Sequence, residues 1–131
     1  MVTRVNLICV TELHHKHLVS EYRELPRVFG LVRRAQARGL TPETVVAPAS
    51  YTMGTGHVKF FYTRLAFIMW RQVLLIEEMQ RRGYKPGNVE TSELTAGLDA
   101  HWFGAWMPTD ADIAVSRTRI QEKLQSMGVS S

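Results

Sequence analysis

The chain has 131 residues, a formal net charge of +4 and a 45% hydrophobic content, which is the size and composition of a single domain (1–131) with one core. Its pI of about 9.6 favours an anionic partner. The single cysteine, Cys9, excludes an internal disulfide and fits a reducing cytoplasm, which is the expected location. Met1-Val2-Thr3-Arg4 leads into no long apolar run, so no export signal is expected. The most apolar stretch, residues 65–76, is interrupted by Arg71 and Gln72 and falls far short of the ~20 apolar residues a membrane span needs.

In chain order, residues 3–10 are short and densely apolar, with no second such segment to form a sheet, and read as an extended arm packed on helices. His14, His15 and His17 follow closely. They invite a metal reading, but no cysteine or carboxylate completes a ligand set, so no metal site is expected and His17 reads better as a neighbour of an active site. A helical pattern spans residues 16–38, with Pro26 predicting a kink in its middle and Gly39 suited to its end. Residues 40–53 are turn chemistry. Gly54-Thr55-Gly56-His57 lacks the lysine and spacing of a phosphate loop, and its glycines suit close backbone packing or amides that approach a phosphate. A second helix is expected over residues 58–82, apolar on most sides and therefore central. Residues 84–108 are irregular, and Trp102, Phe103 and Trp106 pin them to the core. A third helix begins near Thr109, with Ile113, Ser116, Ile120 and Leu124 as its inner stripe and Arg119 and Lys123 one turn apart. The expected fold is all-α: one compact domain of about three helices with a kinked first helix, an extended N-terminal arm and long loops.

On a wheel of roughly 100° per residue, Lys16, Arg27, Arg34 and Arg38 fall within roughly 60° of Arg23, opposite Leu18, Tyr22, Leu25, Phe29 and Val32. Glu24 lies beside this basic stripe, a carboxylate among guanidinium groups. Such a face suits an anionic backbone and a developing positive charge. A solvated face with ion pairs is the alternative.

Several blocks together resemble the phage-type pyrimidine-dimer DNA glycosylase/AP lyase family, of the endonuclease V kind. They are Thr3-Arg4-Val5-Asn6-Leu7, His17-Leu18, the ten residues Glu21-Tyr22-Arg23-Glu24-Leu25-Pro26-Arg27-Val28-Phe29-Gly30, Gly54-Thr55-Gly56-His57-Val58 and Phe60-Phe61-Tyr62. The likeness continues through Arg71-Gln72, Arg82-Gly83 and the helix that carries Lys123. It implies a small all-helical enzyme, a monomer without metal or cofactor, acting on double-stranded DNA that contains a lesion. The family's catalytic threonine matches Thr3, whose α-amine would attack the sugar of the damaged nucleotide. An imine forms, the base departs and β-elimination cuts the strand. An α-amine with a pKa of about 7.7–8.0 is partly neutral at physiological pH, as this attack requires. The catalytic glutamate matches Glu24. Phosphate-holding arginines match Arg4, Arg23 and Arg27, with Arg119 and Lys123 contributing by the same match. Lys16, His17 and Arg34 complete the expected DNA-binding set.

Two departures bear on these expectations. Val2 precedes Thr3, so the threonine amine is free only if both Met1 and Val2 are removed. The family's aromatic and basic C-terminal tail has no counterpart after Ser126, which bears on lesion preference. Two alternatives follow: the same chemistry on another damaged base or an abasic site, and a DNA-binding protein without catalysis.

Overall fold

The computed structural model describes residues 4–87 and 91–128. The first helix is broken in two, α1 (His15–Glu24) and α2 (Arg27–Ala37), and is followed by α3 (Leu65–Arg81) and α4 (Asp110–Ser126). No strand is present among the described residues beyond one isolated bridge between Arg64 and Phe103. The all-α class with a kinked first helix is therefore what the structure shows.

Pro26 causes the break. It has no N–H to give the carbonyl of Tyr22 one turn earlier, and that carbonyl instead accepts from Nε2 of Gln72 on α3 at 3.2 Å. The Leu25 amide makes the last bond of α1, to Glu21 at 2.9 Å. Pro26 itself, at φ −58°, then leads directly into α2. Leu18, Leu25, Val28, Phe29 and Val32 are fully buried along the inner side of both segments, each contributing roughly 1.5–3 kcal/mol of burial. Gly39, at φ +87°, follows the end of α2.

The second helix begins at Leu65 rather than near residue 58. Residues 59–61 form only a 3-10 turn, and the carbonyl of Thr63, just ahead of α3, is taken by the Gly104 amide at 3.1 Å. That crossing requires glycine, since a Cβ on residue 104 would lie 2.3 Å from the Thr63 oxygen. From there α3 runs through the core on Leu65, Ile68 and Leu75, leaving only one side, with Trp70 and Val73, to solvent. Trp102 is buried, and its indole donates to Gln36 on α2. Trp106 packs edge-on against Phe60, Phe61 and Phe67 at 5.0–5.6 Å, so the irregular segment is pinned as its aromatics predict. Thr109 caps α4 in a reciprocal pair with Asp112, and Ser116, Ile120 and Leu124 face inward.

The arm is extended and has no sheet to join. Val5, Leu7, Ile8 and Val10 are buried. Their backbone polar groups would be orphaned in the core, and side chains from distant elements satisfy them instead. The Val5 amide donates to Nε2 of His57 at 2.9 Å, the Leu7 amide donates to Oγ of Ser116 at 3.0 Å, and the Ile8 carbonyl accepts from Arg71 at 2.5 Å. The Tyr51 hydroxyl reaches the Val5 carbonyl at 3.4 Å, and Nδ2 of Asn6 donates to Glu21 at 2.9 Å.

Candidate active site

The arm, α1 and α4 enclose a cleft of about 470 Å³. Its polar lining is Arg4 and Asn6 from the arm, Lys16, His17, Ser20, Glu21 and Glu24 from α1, and Arg119 and Lys123 from α4. Ile120 and Met127 supply an apolar wall. Helical spacing explains the α1 contribution: Lys16, Ser20 and Glu24 are successive turns of one face, flanked by His17 and Glu21.

The two carboxylates differ in situation. Glu21 is buried and makes a two-pronged bond to Arg71 of α3, at 2.8 and 3.0 Å, besides accepting from Asn6. It is spoken for by the scaffold. Glu24 is half-buried at the last position of α1, where the helix dipole disfavours a negative charge by about 0.3–1 kcal/mol. Arg4, Lys16, Arg119 and Lys123 line the same cleft and supply the opposite charge.

Two polar atoms that belong to lining residues are buried without a hydrogen-bond partner among the described residues, Nη1 of Arg4 and Nδ1 of His17. Burial, together with the neighbouring His14 and Lys123, holds the His17 imidazole below its ordinary pKa, although Glu21 works the other way. A basic cleft with an unsatisfied guanidinium N–H of Arg4 is suited to an anionic ligand.

The structure brings together Arg4, Lys16, His17, Glu24, Arg119 and Lys123 of the expected set. It does not bring in Arg23, which lines a separate groove of about 200 Å³ with Tyr22, Pro26, Gln72, Ile76, Thr91 and Leu94. On the wheel, Arg23 lies about 90° round from the middle of the cleft-facing residues. Arg27 is exposed at the start of α2. Arg34 is exposed further along, and together with Arg38 acts electrostatically on the Tyr62 phenol. The basic stripe is thus divided: Lys16 lines the cleft, Arg23 a separate groove, and Arg27 and Arg34 lie on α2 beyond the break at Pro26. Thr3, expected to carry the nucleophile, lies outside the described residues. The His14 and His15 ring centroids lie 4.2 Å apart with the planes tilted by 32°, and no group of three or more His, Cys, Asp or Glu side chains among the described residues could hold a metal ion.

Residue-level reading of the sequence missed the groups that hold the arm: Tyr51, His57, Glu21, Arg71 and Ser116. Ser116 carried a signal. It is a hydroxyl at a core position of the α4 stripe, and such a group is buried only with a partner. His57 carried none, since its partner is 52 residues away.

A sequence model of the pyrimidine dimer DNA glycosylase family matches residues 2–89. The match takes in the arm and α1 to α3 and so most of the cleft, while α4, with Arg119 and Lys123, lies beyond it. Because it extends over more than half of the chain, the protein belongs to the pyrimidine dimer DNA glycosylase family and is a DNA repair glycosylase.

Proposed function

We propose that this protein excises the 5′ base of cyclobutane pyrimidine dimers in double-stranded DNA and then cuts the strand as an AP lyase, using the α-amine of Thr3. The observation that carries this reading is that Arg4, bonded directly to Thr3, lines the same cleft as Glu24. The amine nitrogen bonds to the anomeric carbon as the glycosidic bond breaks, and the departing base takes up a proton. Loss of the amine proton and opening of the sugar ring give an imine. Removal of a proton from the adjacent sugar carbon then expels the 3′ phosphate, and water releases the enzyme. Glu24 stabilises the positive charge that develops on the sugar and moves protons at the ring oxygen and the imine. Arg4, Lys16, Arg119 and Lys123 hold backbone phosphates. His17 lies among them, and Arg23, Arg27 and Arg34 extend the contact beyond the cleft. A dimer weakens stacking and makes bending and base extrusion cheaper, which is the basis of selection.

This reading requires Met1 and Val2 to be removed. Borohydride treatment with abasic-site DNA should trap a covalent adduct on protein beginning at Thr3, and none on protein that keeps Met1 and Val2. Glu24→Gln should bind ultraviolet-irradiated duplex within severalfold of the parent and lose about a hundredfold or more in turnover. Equal turnover would remove Glu24 from its role. Absence of an adduct on the trimmed protein would overturn the imine.

A further inference from the structure

We propose that His57 is a positioning residue, a proton-sensitive latch that seats the arm in the cleft while neutral and lets it go when it takes up a proton. The inference rests on the cleft being the active site, because the latched arm carries Arg4 and, next to it, Thr3.

His57 is 1% exposed, and its hydrogen bonds define one tautomer. Nδ1 lies 2.8 Å from the Thr52 carbonyl, which can only accept, so Nδ1 bears the proton. Nε2 then presents a lone pair, and the Val5 amide donates to it at 2.9 Å. An imidazolium carries a proton on both nitrogens, so Nε2–H would meet the Val5 N–H head-on and the bond would become a repulsion. The loop is built to hold this ring. Gly56, at φ +88°, sits so close to Pro48 that a Cβ would lie 2.7 Å from Cγ, and the edge of Tyr51 packs on the imidazole at 5.5 Å.

The charged groups acting on the ring come from three elements. Arg4 of the arm and Arg119 of α4 oppose protonation, and Glu21 of α1 favours it. Tyr51 adds a neutral phenol. Burial is the largest influence and keeps the ring neutral below the usual range, partly offset by the bond to Thr52. The latch is therefore closed at neutral pH and opens in acid. DNA in the cleft would pair with Arg4 and Arg119 and ease protonation, so the latch is more sensitive to acid in the complex than in the free protein.

The direct test is 15N NMR of the wild-type chain as a function of pH. The expected result is an imidazole protonated only at Nδ1 at neutral pH. The Val5 amide should lose its protection from hydrogen exchange in step with the imidazole titration, while α3 amides stay protected. An Nε2–H tautomer, or a Val5 amide indifferent to the titration, would overturn the proposal. Activity gives a second arm. Below neutrality the wild type should lose cleavage with two protons, one on the amine and one on His57. His57→Gln keeps an acceptor for Val5 but does not titrate, and should show a one-proton limb. His57→Leu, without the acceptor, should be slower at every pH. Identical limbs in wild type and His57→Gln would sink the latch. A Val5 amide that follows His57 without any trapped adduct would support the latch while removing the imine reading.

Discussion

Glu21 and Glu24 stand one turn apart on α1, and their fates are set by their partners. Glu21 is locked to Arg71 in the core and passes its remaining acceptor capacity to Asn6, whereas Glu24 opens on cations. Breaking a buried pair from one side leaves a lone charge in the interior. Glu21→Gln should therefore cost about 3–5 kcal/mol in denaturant unfolding. The double variant Glu21→Leu, Arg71→Met replaces both charges with apolar groups and should recover most of that stability. It should not recover base excision, because Asn6 and the Ile8 carbonyl would have lost the groups that seat the arm. Full recovery of both would show that the pair serves stability alone. At this scale Glu24 stood out through its ten-residue block, whereas the cations that share its cleft, Arg4, Lys16, Arg119 and Lys123, lie outside that block. The latching groups were hidden because most of their bonds join side chain to backbone across a large separation, as with Leu7 and Ser116, 109 residues apart.

Elements were legible where the determinants are local. The end caps of α4 and its inner stripe lie within its own residues, so its start at Thr109 was readable. The start of α3 was not, because a glycine 41 positions later captures the Thr63 carbonyl. Pro26 was visible as a kink, and the roughly 100° between Arg23 and Glu24 on the wheel already sets them toward different grooves, but which side of α1 faces the cleft depends on the arm and α4 packed there. The 54–57 turn answers the two uses open to its glycines: at Gly56 the backbone needs a positive φ and a close approach to Pro48. Gly56→Ala should accordingly lower stability by about 1–3 kcal/mol in thermal or chemical unfolding, with the arm loosened more than the helices. A substitution without cost would mean that this turn does not hold His57 rigidly.

For the whole molecule, pH acts through two windows. The His17 and His57 imidazoles are both held below their ordinary value of 6.5, mainly by burial. Groups with depressed values in the folded state favour folding fully above pH 6.5, and that advantage is lost as pH falls through the folded values. Glu78 forms the second window. Bonds to Arg81 and Arg82 lower its pKa from 4.5 to about 2, so its contribution is present above pH 4.5 and disappears as pH falls toward 2. Melting temperature should be level near pH 7–8, decline below 6.5 and decline again below 4.5. Glu78→Gln should shrink the lower step and leave the upper one unchanged; a lower step of undiminished size would assign it to other carboxyls such as Asp99, which its bonds to His101 also hold below the usual value. Arg82 also donates to the Val10 and Thr11 carbonyls, so it ties the Glu78 pair to the far end of the arm.

The arm borrows its bonds from residues 15 to 109 positions away, and one lender is α4. A ribosome releases the arm well before Ser116, so a nascent chain that stops short of α4 has every cation of α1 and α2 yet no assembled cleft. The cleft is therefore completed only once α4 has been made, and a truncated product lacking α4 would hold neither Arg119 nor Lys123 nor the hydroxyl that seats Leu7.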